Sequence, residues 1–415
     1  MPNHDDILII GGGVIGVCVA YYLAERGGRV TLIERGEIAA GSSYGNAGLI
    51  VPSHSVPLAA PGALADGLRW MLDPESPFYI KPRFDRELIA WLLQFSAACT
   101  DNRMRQSIPV LRDLGRASRA LYDELAALGF DFGYETKGLL CLYVSQSGLA
   151  EGEEEARLLQ QYGLTTRVLD AAQVRQHEPN VQPEVIGGVY FPNDAHLNPA
   201  RFVRGLAQQA EQRGAKIKTG VGVVGFEIDD RRVTKVKTTR GDFEAGQVVL
   251  AAGSWSPVVA RDLRLNIPIQ PAKGYSITVK RPAAGPSVPL LLEEAHVGVT
   301  PLGDQLRFAG TLELAGLDFT VNQRRVNAIR RGVQRYLPGM ERLEEIEVWR
   351  GLRPCTPDGL PIIGRVSLYD NLILATGHAM VGMSLGPITG KLVSQIVCRE
   401  QPEIDLRPLR AERFL

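Results

Sequence analysis

What the chain most plainly lacks is net charge: Lys plus Arg and Asp plus Glu both number 46. No basic run breaks the balance, so neither a global field nor a local patch points to nucleic acid. Long hydrophobic runs are missing too. No stretch approaches the roughly 18 apolar residues a membrane-crossing helix needs. The polar, acidic start from Met1 to Asp6, followed by an apolar stretch broken by glycines, does not read as a signal peptide. Cysteine is scarce. Cys18, Cys99, Cys141, Cys355 and Cys398 are scattered without a C-x-x-C pair, so no zinc or disulfide framework is expected, and a reducing cytoplasm fits. Glu293, Glu294 and His296 share a short segment but lack metal spacing on one face, so no metal is expected. Repeats and low-complexity tracts are absent as well.

What is present is an ordinary globular composition, 45% apolar and 22% charged, in 415 residues, long enough for two packed units. The opening is the strongest local signal. Asp6–Ile10 reads as a short apolar strand, and Gly11, Gly13 and Gly16 fit G-x-G-x-x-G. Val17–Arg26 continues as a helix whose N-terminus offers unpaired N–H groups and a positive dipole end. Gly27-Gly28 ends that helix. Val30–Ile33 is a second strand, and Glu34 stands where an acid would meet a ribose. The pattern predicts a dinucleotide site; a glycine turn in some other strand–helix–strand unit is the alternative.

Further along, 86–99 and 104–128 carry helical apolar spacing, Lys137–Ser145 is a buried strand and Glu151–Tyr162 a charged helix. Gly187–Phe191 reads as a strand, Asn198-Pro199 as a helix start, Arg201–Arg213 as the helix and Ala215–Thr219 as another strand. Residues 221–244 suggest a meander, and Gln247–Ala252 a strand ending in Gly253-Ser-Trp-Ser. Residues 273–320 alternate like antiparallel strands, followed by a helix at Asn322–Tyr336, a strand at Leu372–Ala375 and a helix from about Gly386 to Cys398. The expected fold is α/β: a Rossmann-like nucleotide domain of discontinuous segments, with a mainly antiparallel β substrate domain carrying helices. The nucleotide domain is expected over 1–56, 146–220, 246–268 and 346–415. The substrate domain is expected over 57–145, 221–245 and 269–345.

Three more segments look chemical. Gly41-Ser-Ser-Tyr-Gly-Asn-Ala-Gly48 is small and hydroxyl-rich, able to cradle phosphate or approach a planar ring. Val348–Gly364 contains Trp-Arg-Gly-Leu-Arg-Pro-Cys-Thr-Pro-Asp-Gly, and Ala375–Pro387 contains Thr-Gly-His-Ala-Met-Val-Gly. With the glycine fingerprint and Lys273-Gly-Tyr-Ser276, these resemble the D-amino-acid oxidase/dehydrogenase family of FAD-dependent oxidoreductases, on its bacterial D-amino acid dehydrogenase side. There the five motifs recur in this order, and the likeness spans most of the chain.

The resemblance implies a non-covalent FAD and oxidation of an amino acid. A hydride would pass from Cα to the flavin, and water would release a 2-oxo acid and ammonia. Cofactor contacts are implied for Gly11, Gly13, Val14, Ile15, Gly16, Glu34, Arg35, Ser42, Ser43, Asn46, Ala47, Gly48, Leu49 and Val223. They are also implied for Ala252, Gly253, Trp255, Gly377, His378, Val381, Gly382 and Met383. The helix start beyond Gly377-His378 would meet one edge of the ring.

Arg353 would clamp the substrate carboxylate through two parallel charge-assisted bonds; a structural salt bridge is the alternative. Arg350 is expected to point elsewhere. Tyr275, His54 and His378 are candidate catalytic or substrate contacts, against a strand-face aromatic, a surface-loop histidine and, for His378, a backbone role beside the flavin. Lys273 is a weaker candidate, and His196 is expected to order a turn. Cys355 lies two residues past the place of the tethering cysteine in the sarcosine-oxidase branch, where Arg353 stands, so no covalent link is expected. The branch's lysine is also missing near Gly382.

Rival readings are a flavoenzyme of cyclic or N-alkyl amino acids (D-proline, D-hydroxyproline, glycine, sarcosine), alone or within a complex, a non-catalytic flavin-binding subunit and a nicotinamide dehydrogenase. The electron acceptor (oxygen, a quinone or a protein) and the oligomeric state stay open. Leu64–Trp70 with Trp91–Phe95 is a candidate peripheral membrane contact, on the inner face if so, against the commoner core-facing helix.

Overall fold

A computed structural model describes residues 6–71 and 76–414. Two sheets organise it. The first has six strands in the order 362–365, 372–376, 247–250, 7–10, 30–33 and 216–218. Ile7–Ile10 pairs in parallel with both Gln247–Leu250 and Val30–Ile33. Only the hairpin at one edge, Ile362–Arg365 against Leu372–Thr376, is antiparallel. Alternation sorts the central strand by face. Ile7 and Ile9 join a core with the helices Val14–Glu25, Asp101–Ala126, Pro199–Gln212 and Gly386–Val397. Leu8 and Ile10 join the opposite core, built with Val233 and Val236 of a small three-stranded sheet. The sheet is thus buried on both faces, as parallel strands require.

The second sheet has nine strands and is mostly antiparallel. Its path runs 345–355, 270–280, 305–314, 297–302, 290–292, 139–143, 187–191 and 167–170, with 78–80 paired alongside 305–314. Val326, Ile329 and Val333 of the helix Gln323–Tyr336 cover it. Helix starts follow local chemistry. Asp85, Thr100, Ser145, Asp170, Asn198 and Asn322 each accept a first-turn N–H, and Pro199 opens the helix behind Asn198.

The domain boundaries differ from the sequence reading in four places. Gly187–Phe191 does not start a strand–helix–strand unit. It pairs antiparallel with Leu139–Tyr143 and carries Arg167–Asp170 with it into the larger sheet. A fully buried strand looks the same in either sheet, so pattern alone misassigned it. The strand Glu345–Cys355 also lies in the larger sheet, paired along Gln270–Lys280. Conversely, the 223–244 meander packs on the six-stranded sheet, and Leu111, Leu114 and Tyr122 of the long helix join that sheet's helical layer. Each exchange is decided by long-range pairing that local periodicity does not encode.

The expected amphipathic segment Leu64–Trp70 lies within the helix Ala63–Met71. Trp91 does not serve an exposed face. It is buried, stacks on Phe95 and donates its indole N–H to the Cys355 carbonyl at 2.9 Å. Among the described residues, no helix is long and apolar enough to cross a membrane.

Candidate functional site

The carboxyl ends of the parallel strands open into a cleft of about 630 Å³, which the strand Glu345–Cys355 walls on the far side. Its floor carries Ile10 and Gly11, Ile33 and Glu34, Ala251 and Ala252, and Ala375 and Thr376, each pair at or just past a strand end. A crevice outside the carboxyl ends of an open parallel sheet is where this architecture places ligands.

One wall is made largely by backbone. Gly11 sits at φ +117°, and a Cβ there would stand 2.5 Å from the Ala251 oxygen. A Cβ on Gly16 would stand 1.9 Å from the Gly11 oxygen, so the helix packs directly on the strand. Gly16 therefore serves packing and does not line the cleft. The helix begins at Val14, three residues earlier than expected, and its N-cap, Gly13, brings no capping side chain. The first turn holds no acid. Ser43 Oγ accepts from Val14 N at 2.9 Å. Glu34 accepts from Gly12 N at 2.7 Å through one oxygen and from Gly36 N at 2.8 Å through the other.

The other wall is made by side chains. Arg353 projects from Glu345–Cys355 over Gly274 of the neighbouring strand. A Cβ on Gly274 would stand 2.1 Å from Arg353 Nη1, so only glycine leaves room for the guanidinium. Nη1 donates to the Thr311 carbonyl at 2.7 Å. No carboxylate pairs with Arg353 among the described residues, and burial holds its pKa below the usual guanidinium range. The structural salt bridge is therefore not what this arginine makes. Arg350 also lines the cleft, contrary to expectation. Its Nε donates to the carbonyl of Phe319, itself a lining residue, at 2.9 Å.

The segment Thr376-Gly-His-Ala is locked to that strand. Ala379 N donates to the Pro354 carbonyl at 3.0 Å, and His378 bridges to Cys355. His378 lines the cleft and is buried, which pushes its pKa down to about 3, so the ring is neutral. Its tautomer follows from a neighbour. Thr389 Oγ1 donates its one proton to the Leu385 carbonyl at 2.8 Å. The same oxygen lies 2.9 Å from His378 Nε2, so Nε2 must be the donor there. Nδ1 then carries a lone pair, without a partner among the described residues.

Most expected cofactor residues meet at the cleft: Gly11, Gly13, Val14, Ile15, Glu34, Arg35, Ser42, Ser43, Asn46, Val223, Ala252, Gly253, Trp255, His378, Gly382 and Met383. Ala47, Gly48, Leu49, Gly377 and Val381 are not among its lining residues. Gly48 abuts the Leu197 carbonyl, Leu49 pairs with His196, and Val381 packs against the helical core. Residues that escaped the sequence reading include Val221, Gly222, Val258, Phe319, Gly351 and Leu352. Gly351 and Leu352 could have been found, since they lie between the two arginines of one strand. Phe319 carries no local signal.

Tyr275 and Lys273 are corrected. Neither lines the cleft; both point into a buried ion network. Lys273 Nζ lies 3.3 Å from Glu313 and 3.6 Å from Asp318, and Arg325 Nε lies 3.0 Å from Glu313. Tyr275 donates to Glu313 at 3.2 Å and accepts from Asn322 N at 3.1 Å. Strand alternation turns these two side chains to the face away from Gly274. His54 is also not among the lining residues. Its pKa is lowered to about 4 by burial, and its Nδ1 has no partner among the described residues. His196 orders no turn; it sits on the strand Ala195–His196 and is fully buried. Glu294 accepts from Val144 N, Ser145 N and the Tyr336 hydroxyl. No cluster able to hold a metal occurs among the described residues.

Comparison with known proteins decides the family. The model for FAD dependent oxidoreductases matches residues 6–396. The chain belongs to the FAD dependent oxidoreductase family. Across 99% of both chains it is 34% identical to a D-amino acid dehydrogenase of Methylobacterium nodulans. It is 35% identical to another of Cereibacter sphaeroides, over 99% of this chain and 95% of that one. Among solved structures, glycine oxidase from Bacillus cereus superposes with a TM-score of 0.79 at 26% identity, covering 98% of each chain. The fold is thus that of amino-acid-oxidising flavoenzymes, and FAD is the cofactor of this FAD dependent oxidoreductase. The cleft suits it: a glycine wall a Cβ would obstruct, an acid-free helix start, and lone cations on the facing wall.

Proposed function

We propose that the chain oxidises D-amino acids, breaking the Cα–H bond to give an imino acid that water converts to a 2-oxo acid and ammonia. The observation carrying this reading is Arg353: a half-buried guanidinium on the cleft wall that answers to one carbonyl and, among the described residues, no carboxylate. A cation left in that state favours an anionic partner, and a guanidinium fork holds a carboxylate through two parallel bonds. Bound FAD supplies the acceptor for the two electrons and the hydrogen leaving Cα.

The remaining work belongs to this chain. Arg353 fixes the carboxylate, and with it which face of Cα meets the ring. Gly274 gives the guanidinium its seat, and the Thr311 carbonyl aims it. His378, neutral and bare at Nδ1, offers a hydrogen-bond acceptor rather than a proton. On the glycine wall, Gly11, Gly13 and the Val14 helix start would hold the diphosphate, and Glu34 the ribose. The link to FAD is non-covalent in this reading. Cys355 is buried in an apolar cluster beside Trp91, and its thiol is pushed up to about 12, so no thiolate is at hand.

The test is anaerobic flavin bleaching with D-, L- and N-methyl amino acids and with amines lacking a carboxylate. D-amino acids should bleach the flavin, and carboxylate-free amines should not. Faster bleaching by L-amino acids or by simple amines would overturn the reading. Preference for sarcosine or D-proline would instead point to N-alkyl or cyclic amino acids. The electrons must then leave to oxygen, a quinone or an electron-transfer protein, and hydrogen peroxide release identifies the first.

A further inference from the structure

Four side chains meet within the cleft from both walls. Trp255, just past the strand Gln247–Leu250 of the six-stranded sheet, stacks on Phe319, with ring centroids 6.2 Å apart and an interplanar angle of 16°. Phe319 lies beyond Gln305–Leu314 of the nine-stranded sheet, so the pair spans the two units. Arg35 lies over the Trp255 ring at 4.4 Å and Arg350 over the Phe319 ring at 5.3 Å. All four line the cleft. Neither arginine has a carboxylate partner among the described residues. The ladder Arg35–Trp255–Phe319–Arg350 therefore bridges the cleft between the two units.

Its place along the cleft is fixed by its neighbours. Arg35 follows Glu34, and Trp255 packs beside Gly41, 3.7 Å from where a Cβ would stand. That is the stretch between the ribose acid and the serines Ser42 and Ser43. Arg35 and Arg350 line the same cleft as Gly11, Gly13 and Val14, where the diphosphate would be held.

Rigid stalk and loose tip distinguish this bridge from an ordinary wall. Lys273 Nζ donates to the Thr320 carbonyl at 2.9 Å, and Asp318 accepts from Thr320 N at 2.8 Å and pairs with Lys81 at 3.0 Å. Asn322 N donates to the Tyr275 hydroxyl. The Lys-Gly-Tyr-Ser segment thus holds the loop rather than a substrate. Phe319 itself is 44% exposed, and its ring contact is at the wide end of aromatic pairing, so parting it costs little.

We propose that Arg35, Trp255, Phe319 and Arg350 form a clasp that must open to admit the FAD diphosphate and closes over it afterwards. An extended dinucleotide is laid into such a cleft, not threaded under a closed bridge. The clasp therefore gates entry and exit alike. The proposal rests on the FAD reading above.

The test follows flavin fluorescence without turnover. Release is measured from the holoenzyme into an excess of a flavin-scavenging apoprotein, and uptake from added FAD by the apoprotein of this chain. Phe319→Ala should speed both release and uptake about three- to tenfold, the share of one aromatic pair and one cation–π contact. Affinity should move less than either rate. Phe319→Tyr should restore the wild-type rates, and Phe84→Ala, at a phenyl 94% exposed elsewhere, should leave them unchanged. Equal rates in wild type and Phe319→Ala overturn the clasp. So does faster release with unchanged uptake, which marks Phe319 as a static wall. A wild-type protein that takes up no FAD overturns the FAD reading and the clasp with it.

Discussion

The two walls of the cleft solve opposite problems. The wall of the six-stranded sheet offers N–H groups and close backbone approach, and Gly11, Gly13, Glu34 and Ser43, which shape its phosphate end, sit within the first 43 positions. The wall of the nine-stranded sheet offers cations, and each is held by residues far away in the chain. Gly16 meets Gly11 five residues off, whereas Arg353 meets Gly274 and Thr311, and Lys273 meets Glu313. A site made of backbone is written locally. A site made of charged side chains needs a supporting network, and that network is the more fragile of the two.

The largest expected effect breaks that network. Glu313→Ala strips the common partner of Lys273 and Arg325, leaving buried Arg325 without a carboxylate among the described residues and buried Lys273 with Asp318 alone, 3.6 Å away. The cost should be about 3–5 kcal/mol of stability, read as an earlier midpoint in urea unfolding. A shift below 1 kcal/mol would show that the two walls are equally robust.

Next comes Arg353→Ala, which should slow flavin reduction by an amino acid by about 2–5 kcal/mol in transition-state terms while FAD stays bound. Arg353→Lys should recover part, keeping the charge and losing the fork. Anaerobic stopped-flow reduction below saturation measures both. Wild-type speed in the alanine variant would take the amino acid out of the reading.

On the glycine wall, Glu34→Ala removes a charged acceptor and leaves Gly12 N and Gly36 N without their partner. FAD binding should weaken by about 1.5–3 kcal/mol, or roughly ten- to a hundredfold. Titration of the apoprotein with FAD gives the number, and unchanged affinity would reject Glu34 as the ribose acid.

The smallest effect at neutral pH concerns the buried histidines. His54 and His378 titrate near 4 and 3 in the folded chain, against 6.5 when free. Below pH 6.5 the unfolded chain takes up protons that the folded chain refuses, so stability falls as the pH drops through that window. Asp194 opposes them. Burial raises its pKa from 3.8 to about 7, so between those values the folded chain holds the extra proton and gains stability as the pH falls. His54→Gln should flatten the acid slope by up to about 1.4 kcal/mol per pH unit between pH 6 and 5. Urea midpoints across that range test it, and an unchanged slope would remove His54 from the balance.

The sequence by itself determined the strand–glycine–helix start, Glu34 at the end of the second strand, Ser43, and the order of motifs that names the family. It also singled out Arg353, which lines the cleft. These are legible because a tight turn, a helix cap and an acid at a strand end depend on residues within a few positions of one another. The tertiary structure alone decided which sheet received Gly187–Phe191 and Glu345–Cys355, because edge pairing is chosen among distant strands of similar apolar character. It alone turned Lys273 and Tyr275 from the cleft to the Glu313 network, since a strand's two faces are equivalent until the partner strands are known. And it alone brought Phe319 against Trp255, a contact between two loops 64 positions apart that no spacing announces.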